Sequence, residues 1–385
     1  MSRPRIPLFR VHAPASALEP FAATWKSGFI GEGPRAAEFE RDLADWLDCG
    51  SILALNSATS AITLALRLAG VDERSEVITT PMTCKATIDP IRSLGAKVVW
   101  ADVNAKTGNI LAYDVGERIT GKTKAILAVN WGGYPCDMDE LQFHADRVGA
   151  KLIVDNAHGM GASYHGHKVW GDFTVFSFQA IKHLTTGDGG ALWCSNKVDE
   201  DRGRRLRWYG MDRTSGKDAL RCEDDVAECG YKFHMNDLNA TLGIENLKYA
   251  SGIVAAHQRN AAKYDRNIPD ISAAGAVTRL TYKQDRQSSY WIYTCRHHER
   301  DAIIDRLHEA GIGAAKSGSE LKVHVRCDLH SCFRAYRGDH LPGVESFDNF
   351  QFSIPCGWWL SEEDTDYIID CVTHAHERIK AHANV

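Results

Sequence analysis

Phe176–Leu192 reads FSFQAIKHLTTGDGGAL. Its first residues close a β-rich apolar run, Asp172 to Phe178, and its last residues open another, Ala191 to Cys194. Between them lie Lys182 and a polar turn carrying Gly187, Gly189 and Gly190. The pattern predicts strand, loop, strand, with an amine held on the loop. A lysine is usually a solvated surface group. An amine fixed between two strands is also a nucleophile toward a carbonyl carbon, forming a Schiff base, if its surroundings keep part of it unprotonated.

Upstream of this loop, strands and helices alternate. Ser51–Leu55, Glu76–Thr80, Lys97–Val103, Thr123–Asn130 and Lys151–Asp155 read as buried strands. Helical spacing marks Ala36–Leu47, Ala61–Leu68, Lys85–Leu94 and Met138–Val148. Continuous apolar strands between helices predict an α/β fold whose mainly parallel sheet is covered on both faces. Ligands of such sheets bind beyond the carboxyl ends of the strands. The polar residues there are the candidates: Asn56–Thr59, Thr80–Thr83, Asn130–Trp131, Asp155–His158 and Ser177–Lys182.

Residues 1–35 carry five prolines and predict an extended arm with a short helix. After Leu192, Asp199–Arg207 reads as a charged helix and Ser215–Gly230 as a loop. Met235–Lys248 and Val254–Asn267 read as two further helices. A smaller C-terminal α/β domain follows, with strands at Tyr290–Cys295 and Gln351–Ile354 and helices at Arg300–Ala310 and Ser361–Ala381. Ser361 and Asp364 have capping-box spacing. The division expected is residues 1–250, a large domain with its arm, and residues 251–385, a small one.

A chain of 385 residues has room for about two domains. Hydrophobic residues make up 44% and charged residues 25%, and the formal charge is −5. Without a basic surplus, nucleic acid is not expected as a partner. No apolar run reaches the length of a membrane helix, and the N-terminal residues lack the apolar middle of a signal peptide. A cytoplasmic protein is expected. Eleven cysteines without a CxxC pair read as reduced thiols. His324, Cys327, His330 and Cys332 are close together but lack the two tight pairs of a structural zinc site, so no metal is expected.

Four pieces at the strand ends make one chemistry. Ser57-Ala58-Thr59, between a strand and a helix, suits an anion such as phosphate, although Ser and Thr are also ordinary helix caps. Ser177 adds a hydroxyl. Asp155 suits the protonated nitrogen of a heterocycle, and equally a metal or a helix cap. Lys182 brings the amine. Together these are the protein requirements for pyridoxal phosphate, in which a protonated pyridine ring acts as electron sink.

The motifs in chain order are GFIGEGPRAAEFE, ALNSATSAITLAL, EVITTP, GAKVVWADV, WGGYPCDMDEL, IVDNAHGMGA, the lysine segment, GYKFHMNDLNATLG and FSIPCGWWLSEEDTDYII. In these the chain resembles the sugar aminotransferases of the DegT/DnrJ/EryC1/StrS family, fold-type I pyridoxal phosphate enzymes, over almost its whole length. The resemblance implies a seven-stranded-type sheet and transfer of an amino group, from glutamate, to a keto group of a nucleotide-linked deoxysugar. It implies that Lys182 carries the internal aldimine and moves protons, that Asp155 pairs with the ring nitrogen, and that His158 lies near the ring hydroxyl. Ser57, Ala58, Thr59 and Ser177 are implied at the phosphate. Asn236 is implied at the phosphate of a neighbouring subunit, in a homodimer with shared sites. Cys84 stands where the family has an aromatic residue over the ring. Some family members are dehydratases with histidine in place of the lysine; Lys182, followed by His183, favours amino transfer. A non-catalytic regulator is the remaining alternative. Thr83, His183, Tyr231, His324 and His330 are candidates for the substrate side, with Trp131, Tyr209 and Arg326 as further lining residues.

Overall fold

A computed structural model describes residues 5–213, 225–269, 277–313, 326–336, 338 and 340–383. The strands are β1 (Leu53–Leu55), β2 (Glu76–Thr79), β3 (Lys97–Trp100), β4 (Thr123–Val129), β5 (Lys151–Asp155), a short ribbon of β6 (Ser163–Tyr164) and β7 (His167–Lys168), then β8 (Phe173–Ser177) and β9 (Gly190–Cys194). Seven of them form one sheet in the order β1-β9-β8-β5-β4-β2-β3. Only β9 is reversed in it, pairing antiparallel with β1 and β8. The helices of this part are α1 (Leu18–Ser27), α2 (Pro34–Leu47), α3 (Ala58–Leu68), α4 (Lys85–Ser93), α5 (Ala112–Arg118), α6 (Met138–Asp146), α7 (Lys197–Leu206) and α8 (Asp237–Asn267).

The middle positions of the strands are mostly apolar because both faces of the sheet are covered. Val77, Leu127 and Ile153 pack to one side with Ala61, Ile62 and Leu64 of α3. Their neighbours Ile78, Ile126 and Leu152 pack to the other, with Val115 of α5 and Leu141 of α6. A period of two on a doubly covered sheet turns both alternating sets inward, so polar residues gather at the strand ends.

Two features differ from the sequence reading. The two helices expected between Met235 and Asn267 are one, the 31-residue α8. Ser251-Gly252 suggests a break, but an exposed glycine costs a helix only about 1 kcal/mol. Burial of Ala250, Ile253, Val254 and His257 around it outweighs that. Trp46 Nε1 also donates to Ser251 Oγ at 2.9 Å. Helices α5 and α10 (below) were not anticipated. Pro342 looks like a loop residue but stands at the first position of α10, where a missing N–H costs nothing.

The second region contains β10 (Thr278–Arg279), β11 (Arg286–Gln287), β12 (Tyr293–Arg296), α9 (Arg300–Glu309), α10 (Pro342–Phe350), β13 (Gln351–Ile354) and α11 (Glu362–Ala383). Its sheet runs β10-β12-β13, while β11 pairs with β6 of the ribbon that precedes β8. At the start of α11, Ser361 and Asp364 cap one another reciprocally, at 3.1 and 3.2 Å. Residue 250 falls inside α8. The helix serves two cores, with Ala250 in one and Ala261 and Tyr264 in the other. The arm crosses over too: Ile6 and Leu8 belong to the core of this second region. Ile6 N–H donates to the Gly311 carbonyl at 2.8 Å, and Gly313 N–H donates to the Ile6 carbonyl at 2.7 Å.

Candidate active site

A cavity of about 790 Å³ opens at the carboxyl ends of β1, β2, β5 and β8. Its anion end is built at the start of α3. Ser57 is extended and caps that helix, its Oγ accepting from Ser60 N–H at 3.1 Å. Ala58 and Thr59, whose amides open the helix, line the cavity together with Ser57 and Ser177. First-turn amides have no partner inside a helix, so they suit an anion. Ser177 pairs with Gly190 across β8 and β9. A Cβ on Gly190 would fall 2.4 Å from Ala58 N and 2.5 Å from Ser57 C. Only glycine lets β9 press against this turn.

Asp155, at the last position of β5, is buried and lines the same cavity. Thr87 Oγ1 donates to its Oδ2 at 2.7 Å, and Ala157 N–H to its Oδ1 at 3.1 Å. Burial raises the carboxyl pKa, against the two hydrogen bonds and the Lys182 charge, which lower it. Thr87 in turn meets the Thr83 hydroxyl at 2.9 Å. Thr83 is buried on the cavity wall, so a hydroxyl pair links that wall to the carboxylate.

Lys182 sits in the loop between β8 and β9, half-buried, its N–H donating to the Gln179 carbonyl at 2.9 Å. Loss of water around its amine pushes the pKa down to about 8, against the charge of Asp155 and of Cys84, which raise it. An amine so placed is unprotonated far more often than a surface lysine, as a carbonyl nucleophile must be. Its Nζ lies 3.6 Å from the centroid of the Trp291 ring.

The structure brings Ser57, Ala58, Thr59, Thr83, Cys84, Asp155, His158, Ser177 and Lys182 to one cavity. Cys84 is an exposed thiol at the N-cap of α4. His158 is buried, with its ring stacked 3.9 Å from that of Trp291. Other candidates lie elsewhere. His183 points away from the cavity: its Nε2 bonds the Ser289 carbonyl at 3.1 Å, and its ring packs on His257. Tyr231 stacks on Phe233, beside the β1 edge. Asn236 caps α8, accepting from Asn239 N–H. His330 follows a 3-10 turn at Cys327–Leu329, and Arg326 is paired with Asp328. Cys327 is buried with Sγ on the Thr83 carbonyl, while Cys332 is exposed. Trp131 is fully buried, and Tyr209 is exposed beside Trp208. His324 lies outside the described residues.

Three lining elements escaped the sequence reading: Thr87, Trp291 and the arm residues Pro7–Phe9. Thr87 had a signal, since Thr83 and Thr87 are four apart at the start of a helix that follows a strand. The other two had none, because their contacts come from distant parts of the chain.

An amine, a carboxylate and a hydroxyl-lined helix N-terminus on one cavity fit the aldehyde, ring nitrogen and phosphate of pyridoxal phosphate. Comparison with known proteins agrees. The model of the DegT/DnrJ/EryC1/StrS aminotransferase family matches residues 14–373. The dTDP-4-dehydro-2,3,6-trideoxy-D-glucose 4-aminotransferase of Saccharopolyspora spinosa is 30% identical, over 79% of this chain and 82% of its own. The crystal structure of the sugar aminotransferase CalS13 from Micromonospora echinospora superposes with a TM-score of 0.89 at 33% identity, covering 95% of this chain and 99% of that one. The Spr1654 protein of Streptococcus pneumoniae, solved in its PLP form, gives 0.86 at 27% identity over 97% and 99%. The chain belongs to the DegT/DnrJ/EryC1/StrS aminotransferase family and is a pyridoxal phosphate-dependent sugar aminotransferase.

Proposed function

We propose that this enzyme moves an amino group from glutamate to a keto group of a nucleotide-linked deoxysugar. The observation that carries the reading is the meeting of the Lys182 amine and the Asp155 carboxylate on one cavity whose far end is a capped helix N-terminus. Lys182 would hold the cofactor aldehyde and, once freed, would take a proton from the donor's nitrogen-bearing carbon in one half-reaction and return one to the acceptor's in the other. Asp155 would hold the ring nitrogen, His158 would lie by the ring hydroxyl, and Ser57, Ala58, Thr59 and Ser177 would hold the phosphate. The cofactor supplies the electron sink; the protein supplies position and a proton carrier. The cavity volume, about 790 Å³, leaves room for a substrate beside the cofactor.

The active unit in this reading is a homodimer, with Asn236 reaching the phosphate bound by the partner copy. Leu18, Phe21 and Trp25 are exposed at spacings of three and four along α1, and Phe29 and Ile30 continue the apolar strip. A row of this kind on a water-soluble enzyme suits a covered interface. Among the described residues no helix is long and apolar enough to cross a membrane, and a cytoplasmic location fits a sugar-nucleotide substrate.

Purified protein given pyridoxal phosphate is expected to turn yellow, with an absorption band that Lys182→Ala abolishes. The same variant loses about 10³-fold or more in turnover. Incubation with keto-sugar nucleotides and glutamate, followed by mass spectrometry, should show the mass change of amination. A protein that stays colourless overturns the reading.

A further inference from the structure

We infer that Trp291 is a positioning residue for the Lys182 amine, holding the free amine against its indole ring, and that the strained backbone at Tyr290 sets that ring in place. The inference rests on the reading of Lys182 as the reacting group. Trp291 is 3% exposed and lines the cavity. Its ring lies 3.6 Å from Lys182 Nζ, well inside the range of a cation–π contact. Its Nε1–H donates to the carbonyl of Ile181, next to the lysine, at 2.9 Å. The ring thus grips both the amine and the backbone that carries it. His158 at 3.9 Å and Phe9 at 4.8 Å stack on the same side chain and fix its plane.

The backbone leading to this ring is held at every residue. Tyr290 has φ 51°, in the left-handed region that a bulky residue enters only under constraint. Before it, Ser289 N–H donates to the Gly133 carbonyl at 3.1 Å, and Ser289 Oγ to the His158 carbonyl at 2.8 Å. The Ser289 carbonyl accepts from His183, and the Tyr290 carbonyl from His257 Nδ1 at 2.8 Å. Both imidazoles are driven toward the neutral form by burial, so each carries one N–H, and each spends it here. Gly133, at φ 96°, has no room for a Cβ, which would meet Ser289 Oγ at 2.3 Å. Four separate parts of the chain, at Gly133, His158, His183 and His257, hold one tripeptide so that its last ring reaches Lys182. A freed amine on a flexible stem would otherwise swing into the open cavity; against the indole it waits at the reaction centre.

The test reads Lys182 itself in full-length protein freed of cofactor by dialysis against an amino donor. Labelling of Lys182 by trinitrobenzenesulfonate is followed by peptide mass spectrometry across pH, and the titration midpoint is taken. Access alters the limiting rate, whereas the midpoint reports the charged state. The other titratable groups around the amine are Asp155 at the end of β5, Cys84 at α4, His158, and Asp188 on the same loop, with His183 next in sequence but turned to Ser289. All are retained in the variants. The ring face favours the ammonium form, so its removal lowers the midpoint. Trp291→Leu is expected to speed labelling at pH 7 about 3- to 10-fold through that shift, and Trp291→Phe about 2-fold, since phenyl is the weaker face. In the loaded enzyme the same order should appear in the pH titration of the cofactor band. An unchanged or raised midpoint in both variants overturns the inference. If the leucine variant does not fold, the phenylalanine variant alone decides by the direction of its shift. The aminotransferase reading fails differently, through a colourless wild-type protein.

Discussion

The carboxyl edge of the sheet and the tripeptide Ser289–Trp291 both face Lys182, but they are built in opposite ways. At the sheet edge each residue takes its place from its own strand. Asp155 is the last residue of β5, Ser177 the last of β8, and Ser57 the second residue after β1. Local pattern suffices there, because strand and position are read together. Ser289–Trp291 belongs to no strand of the large sheet. Its place comes from bonds to Gly133, His158, His183 and His257, each far away in sequence. One half of the site is a consequence of secondary structure; the other is a consequence of tertiary closure.

The contrast is open to attack, and the largest effect beyond loss of Lys182 is expected at Gly133. Gly133→Ala places a methyl group 2.3 Å from Ser289 Oγ and 2.7 Å from the His158 carbonyl, at a φ that resists a side chain. A loss of about 2–4 kcal/mol is expected in urea unfolding, with weaker retention of cofactor. A variant as stable as wild type would show that the tripeptide tolerates displacement.

The sheet edge is tested at Thr87. Thr87→Val removes one of the donors on Asp155, a loss of about 1–3 kcal/mol in the support of its charged form. The pH profile of cofactor binding should move toward higher pH, and Thr87→Ser should restore it. If valine and serine behave alike, the hydroxyl does not act on the carboxylate.

The most gradual effect is a slope. Burial pushes the His257 ring down to about 4, partly offset by its bond to the Tyr290 carbonyl. The unfolded value is about 6.5. Between these values the unfolded chain binds the proton and the native chain does not, so acid favours unfolding. Stability should fall from about pH 6.5 toward pH 4, by at most ~1.4 kcal/mol per pH unit for this ring, and be insensitive to it above that window. His234, pushed down to about 4 by burial and nearby cations, contributes in the same range. His257→Gln should flatten the curve in part, measured as urea midpoints between pH 4 and 7; an unaltered slope would remove His257 from the account.

These differences explain what could be read in advance. The strands Glu76–Thr79 and Lys151–Asp155 have apolar middles, and polar residues at or just past their ends line the cavity. Trp291 appears only as an aromatic residue in a strand-like stretch. Its bond to Ile181 spans 110 residues, and no local period reports such a pairing. His183 misled for the mirror reason: beside Lys182 in sequence, it faces the opposite way and serves Ser289. The single helix α8 was hidden by Ser251-Gly252, whose local cost is real but smaller than the burial on either side.

The pairing of Ile6 with Ile312 sets an order of events in the cell. Synthesis runs at roughly 5–20 residues per second, so the arm emerges roughly 15–60 s before its partner exists. Throughout that time the seven strands can assemble on the ribosome, but Pro7–Phe9 have no strand beside them and the wall they contribute to the cavity is missing. The site is therefore finished late, by residues made well before the sheet, and a nascent chain with its large sheet complete still lacks the wall that Pro7–Phe9 give the finished enzyme.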